Sequence, residues 1–133
     1  MNVLVVGSRT VGIPPPNPTA SERSYADRQT HAVQSTLDGI LVTARNNGLT
    51  PLQIYTCGSG HTAVIAATWT RGYPDVVSTA LLGRTSNKVL LVQAAPDKVV
   101  VFSNQPLTDQ PALADLATQA RAVQIETWVL DLS

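Results

Sequence analysis

Cysteine, lysine and aromatic residues are scarce in this chain of 133 residues, and each scarcity removes a class of explanation. Cys57 is the single cysteine, so no internal disulfide framework exists. With only two histidines, His31 and His61, there is no zinc-ligand spacing either, and neither a metal nor a cofactor is expected. Charged residues make up only 14%, and nine Lys+Arg balance nine Asp+Glu. That balance lacks the broad basic field of a protein held on nucleic acid by phosphate neutralisation, so nucleic acid is not the expected partner. The longer apolar runs, residues 3–6 and 99–102, fall far short of the ~20 residues that span a bilayer. The opening residues also lack the basic flank and the apolar region of about 7–15 residues that mark a secretory signal, which makes the cytoplasm the expected location.

What is present reads as one folded domain. Hydrophobic residues make up 44%, well away from the composition of disordered chains, and the length is near the modal domain size. Residues 2–6 form an apolar run without alternation, as suits a strand covered on both faces. Residues 7–21 hold Gly12, Pro14, Pro15, Pro16 and Pro18 and are expected to be a long loop. Helical spacing then runs from about 25 to 47, through Val33, Leu37, Ile40, Leu41 and Ala44, and stops at Asn47 and Gly48.

The same alternation continues to the end. Strands are expected at 52–56, 75–82, 98–102 and 126–130, and helices at 62–71, 84–95 and 108–124. This order predicts an α/β protein, a Rossmann-like three-layer α/β/α sandwich with a mainly parallel five-stranded sheet. A ligand crevice in such a sheet lies outside the carboxyl ends of the strands, at the switch in strand order.

The candidate site residues follow from that geometry. Gly7, Ser8 and Arg9 come directly after the first strand, where glycine admits a close backbone approach and arginine forks onto phosphate or carboxylate. Gly58, Ser59, Gly60, His61 and Thr62 join the second strand to a helix, so backbone amides and a helix N-terminus form a ready anion site. Three glycine-rich residues in a turn are a weak motif, and neither a dinucleotide fingerprint nor a P-loop is present. His61 is expected to hydrogen-bond or stack rather than catalyse, and His31, in mid-helix, to be an ordinary surface or partly buried histidine. Arg84 and Asn87 open the third helix beside the next strand end, and Asn104 follows the fourth strand with a polar edge that suits a base or ribose.

In this order the pieces resemble the SLOG superfamily, the Rossmann-like group that includes the Lonely Guy phosphoribohydrolases and the DNA-processing protein of transformation, as a stand-alone bacterial or phage member. The resemblance spans nearly the whole chain. It rests on Gly7-Ser8-Arg9, the Gly58-Ser59-Gly60 turn before a helix with Ala66 and Trp69, Arg84 with Asn87, and the strand at 97–102. Where stand-alone relatives have a fuller GGAxGAD-like turn, Thr62 and Val64 stand at the later glycine and acidic positions, and Arg84 and Asn87 are separated. Where the Lonely Guy enzymes carry PGGxGTxxE, residues 103–109 read SNQPLTD, without the glutamate. The resemblance implies a pocket for a nucleotide-derived small molecule, sensed or sequestered and not cleaved. A small neutral domain of this kind is similar to the phage proteins that sequester nucleotide immune signals, an analogy of fold alone.

The competing reading is an N-glycosidase or nucleotide-processing enzyme of the phosphoribohydrolase type, with an acid among Glu22, Asp97 and Asp109. No catalytic residue is assigned. The proline-rich loop, residues 11–20, exceeds the usual βα connection of about 2–6 residues and is expected to cover the pocket or contact a second subunit. A homodimer or higher homo-oligomer is the expected assembly.

Overall fold

The first strand, β1 (Asn2–Gly7), is buried along Val3, Leu4, Val5 and Val6, as an apolar run between two helical layers must be. In the computed structural model, which describes residues 1–58, 60–81 and 86–133, β1 is the central strand of a five-stranded sheet. After it come α1 (Ala20–Asn46), β2 (Leu52–Cys57), α2 (His61–Thr70), β3 (Val76–Leu81) and α3 (Asn87–Ala94). The chain ends with β4 (Lys98–Ser103), α4 (Pro111–Ala122) and β5 (Glu126–Asp131). The strand order is β3-β2-β1-β4-β5 and every pairing is parallel. The fold is α/β and Rossmann-like in its three layers, and the strand order reverses between β1 and β4.

The two faces of the sheet carry separate halves of the core. Val33, Leu37, Ile40, Leu41 and Ala44 of α1 join Ile65, Ala66 and Trp69 of α2 over Val3, Val5, Leu52, Ile54, Val100 and Phe102. Leu116 and Ala120 of α4 and Ala94 of α3 pack over Leu4, Val6, Val99 and Val101. The odd and even residues of β1 and β4 thus feed opposite layers, which is why neither strand alternates in sequence. No helix among the described residues is long and apolar enough to cross a membrane.

Two boundaries depart from the sequence reading for local reasons. The first helix begins at Ala20 and not near 25, because Thr19 and Glu22 close a capping box. The Glu22 amide donates to Thr19 Oγ1 at 3.1 Å, and the Thr19 amide donates to Glu22 Oε1 at 2.9 Å. The last helix begins at Pro111 and not at 108, because Leu107–Asp109 forms a single 3-10 turn and Pro111 stands in the first turn of the helix. In α3 the buried residues are Leu90 and Ala94, whereas Val89 and Val92 face solvent.

At the edge opposite the expected crevice, a polar cluster joins α1, α2 and the approach to β3. Trp69 Nε1 and the Tyr73 hydroxyl both donate to Asp38 Oδ1, at 2.8 and 3.0 Å, and the two rings stand 4.9 Å apart. The hydrogen bond to Asp38 is the main reason the Tyr73 hydroxyl titrates above its ordinary value. Arg45 forks onto Asp75 at 2.7 and 2.8 Å and holds that carboxyl below the usual carboxylate range.

These contacts separate two stability effects. Asp38→Ala should cost about 1–3 kcal/mol in urea denaturation, since it leaves the buried Trp69 indole N–H without its acceptor. The exposed Arg45 and Asp75 pair contributes less. Because the folded Asp75 titrates low, its contribution is present above the unfolded-state value near ~3.9 and is lost as the pH falls through the lower folded value. Asp75→Asn should therefore change stability near neutrality and have no effect once both states are protonated, as denaturation at a series of pH values would show.

Candidate functional site

Where β1 and β4 part, the structure opens a cleft of about 460 Å³ at the carboxyl ends of the strands. The position follows from the topology. The loop after β1 turns towards α2, the loop after β4 turns towards α4, and the space between them is left to the loop ends and the helix N-termini.

One wall is made by Gly7, Ser8 and Arg9 together with Gly58, Gly60 and Thr62. Gly7 is shaped by the protein's own packing. A Cβ there would lie 2.4 Å from Thr62 Oγ1 and 2.8 Å from the Phe102 carbonyl oxygen, so α2 can seat on the end of β1 only because that atom is missing. Thr62 Oγ1 donates to the Ser8 carbonyl at 3.3 Å, and the His61 amide donates to the Arg9 carbonyl at 3.1 Å. Gly58 has a φ of +81° with open space around its missing side chain, so its demand is conformational.

The facing wall is apolar, with Leu90 of α3 and Pro111, Leu113 and Leu116 of α4. Asn87 also lines the cleft, but its Nδ2 donates to the Ala112 carbonyl at 2.9 Å and to Asp115 Oδ2 at 2.8 Å, so it clamps α3 to α4. Between the walls lies a side-chain network centred on Gln110. Ser8 Oγ donates to Gln110 Oε1 at 2.6 Å, and Gln110 Nε2 donates to Ser103 Oγ at 2.6 Å and to the Gln105 carbonyl at 3.0 Å. Ser103 Oγ donates to the Gln105 carbonyl.

The electrostatics favour an anion. Helices α1 and α3 have side-chain N-caps in Thr19 and Ser86. The N-cap residues of α2 and α4, Gly60 and Gln110, place no side chain on their helix amides, and both helices open onto the cleft, beside the capped start of α3 at Asn87. Arg9 is the only charged side chain lining the cleft among the described residues. Cys57 also lines it, and burial raises its thiol pKa, which keeps it protonated and poorly nucleophilic at neutral pH.

Of the residues expected from the sequence, Gly7, Ser8, Arg9, Gly58, Gly60, Thr62 and Asn87 meet at this cleft. His61 does not line it. Its Nδ1 lies 2.9 Å from the Val11 carbonyl, a bond that requires the proton on Nδ1. Asn104 does not line it either, since its Nδ2 donates to Thr10 Oγ1 at 3.0 Å and its amide to Ser8 Oγ at 3.3 Å. Ser59 and Arg84 lie outside the described residues.

The proline-rich loop takes a different course from the expected lid, since no residue of 10–19 lines the cleft. Val11 is wholly buried in the α1 and α2 layer, and the Gly12 amide donates to Gln29 Oε1 at 2.8 Å, which draws the loop down over α1. Residues that sequence reasoning missed are Gln110 and the leucines of the apolar wall, Leu113 and Leu116, which read only as a helix face. Pro111 as the first helical residue was the available sign that Gln110 stands at a cap beside the switch point.

Comparison of the chain with protein-family models, with curated proteins and with solved structures returned no match.

The two glycines should separate in denaturation experiments. Gly7→Ala should lose about 1–3 kcal/mol through overpacking against Thr62 and β4. Gly58→Val should lose about 1–2 kcal/mol from the left-handed backbone alone and remain folded, its circular dichroism spectrum unchanged.

Proposed function

We propose that this protein binds a nucleotide-derived small molecule in the cleft between β1 and β4 and holds it without cleaving it, as a sensor or a sequestering protein. The observation that carries the reading is the convergence of two helix N-termini without side-chain caps and Arg9 on one cleft that has an apolar opposite wall. A phosphate suits the first half of that surface and a base the second. Within the reading, the chain is a stand-alone member of the SLOG group that works in the cytoplasm as a homo-oligomer, and sequestration of a phage-relevant nucleotide signal is one form of it.

Binding ranks above glycosidic cleavage because none of the acids named for the enzyme reading lines the cleft. Asp97 sits at the opposite ends of the strands, where Oδ2 accepts the Asn2 amide at 2.9 Å. Glu22 belongs to the capping box of α1, and Asp109, in the 3-10 turn just before Gln110, is exposed and is not a lining residue. No carboxylate lines the cleft among the described residues, so a sugar bond held there would meet no general acid.

Incubation with a nucleotide panel, heat denaturation and mass spectrometry of the released molecules tests the two readings together. Intact nucleotide recovered from the protein is the expected outcome, and free base with ribose phosphate would establish the enzyme instead. Arg9→Ala should weaken binding by about 1.5–3 kcal/mol in calorimetric titration, the range for a hydrogen bond to a charged group. Gly58→Val, still folded, should abolish it.

A further inference from the structure

The two edges of the sheet are not alike. β5 carries an acid at each end, Glu126 and Asp131, the kind of charge that keeps an edge strand from pairing with another chain. β3 reads VVSTAL, with no charge and no proline. Its register with β2 runs unbroken from Leu52 opposite Val76 to Cys57 opposite Leu81, so no bulge bends the edge away. Nor do the helices cover it. Val77 and Thr79 are exposed on one face and Ser78 and Ala80 on the other, so neither layer reaches over the middle of the strand. The Leu52 amide donates to the Asp75 carbonyl at 2.9 Å, which sets the alternation of the parallel ladder: residues 75, 77, 79 and 81 turn their backbone groups to β2. The N–H and C=O groups of Ser78 and Ala80 therefore point outward along the open edge.

We propose that two copies of this chain join along β3, as antiparallel strands about a twofold axis through Thr79. This rests on the homo-oligomeric part of the function proposed above and not on the ligand. A second copy is the partner because the strand matches itself. A twofold axis normal to the sheet keeps every side chain on its own face, so it must pass through a residue and oppose positions of the same parity. With the axis at Thr79, Ser78 of each copy exchanges both backbone hydrogen bonds with Ala80 of the other, and all four outward groups of each strand are satisfied. Val77 then opposes Leu81, an apolar pair, and Thr79 opposes Thr79 as a close, non-hydrogen-bonded pair. An axis at Ser78 would instead call on the Val76 amide, which already donates to the Tyr73 carbonyl at 3.4 Å. Two neutral β3 strands meet without repulsion, whereas two β5 edges would bring their acids together. The two sheets become one, and because the joined strands run in opposite directions the two clefts open at opposite ends of it.

Sedimentation equilibrium of the full chain reads the mass, and amide hydrogen exchange reads the strand pairing. The unaltered protein should sediment at twice its 14.1 kDa, with the Ser78 and Ala80 amides protected. Thr79→Lys sets two like charges directly opposite each other at a position that is exposed in the single chain. It should weaken self-association about tenfold and return both amides to fast exchange, with the circular dichroism spectrum unchanged. Val42→Lys, an exposed change on α1, should leave the dimer intact. Fast exchange of both amides in a dimeric unaltered chain overturns the proposal without recourse to a variant, so the result does not depend on Thr79→Lys folding. A dimer that survives Thr79→Lys, or a mass that grows beyond two chains, overturns the β3 pairing and leaves the homo-oligomeric reading standing. A monomeric unaltered chain overturns both, and none of these outcomes touches nucleotide binding.

Discussion

The absence of one atom, the Cβ of Gly7, is the constraint on which the cleft depends. Thr62 Oγ1 and the Phe102 carbonyl both occupy the space that atom would fill, so α2 and β4 close on the end of β1 from opposite sides. Once α2 sits there, its first residues bind the loop after β1 through the Ser8 and Arg9 carbonyls. Gly60 completes the contact, its backbone close enough to Arg9 that a Cβ would lie 3.2 Å from the Arg9 Cα. The direction in which the loop leaves the sheet is then settled, and with it the side of the switch point on which the cleft opens.

The same packing distributes charge unevenly between the ends of the sheet. At the amino ends of the strands, Lys98 is buried with its Nζ 3.6 Å from the Trp128 ring centroid and 3.7 Å from Glu126 Oε1. Asp97 is bound to the backbone of β1 at that edge. At the carboxyl ends, the described cleft residues include one cation and no carboxylate. A chain with zero net charge thus presents an anion-favouring lining at this cleft, which net charge by itself does not reveal.

Much of this was legible in the sequence. The continuous apolar runs of β1 and β4 gave the buried parallel strands, and the spacing of Val33, Leu37, Ile40, Leu41 and Ala44 gave the buried face of α1. Strand ends marked by Gly7 and Gly58 located the cleft. The rest depended on contacts distant in sequence or on caps that were not recognised. The threonine and glutamate of the α1 capping box stand three residues apart and were readable, yet the proline-rich context led to a loop instead. The path of residues 10–19 was not readable, because it is set by Val11 entering a core built from α1 and α2 and by Gln29 reaching back to Gly12. Gln110 was hidden for a similar reason, since its partners Ser8 and Ser103 lie on two other strand ends.

Glycine at a strand end has two physical meanings, and the cleft shows how they divide. The sequence reading gave Gly7 to a close backbone approach and Gly60 to a turn of anion-binding amides, but the groups that approach them are Thr62, Phe102 and Arg9 of the protein itself. Their smallness is used up in the fold. Recognition therefore has to come from the other groups that line the cleft: the starts of α2 and α4, Arg9, the apolar side of α4, and the Gln110 carboxamide. A surface with donors on one side, an apolar face opposite and a carboxamide between them is asymmetric, and a ligand that satisfies all three must itself be asymmetric. Inorganic phosphate meets the first demand only, and a flat apolar molecule the second only. A nucleotide, with an anionic end, a stacking face and hydroxyl or amine donors between them, meets all three in one molecule.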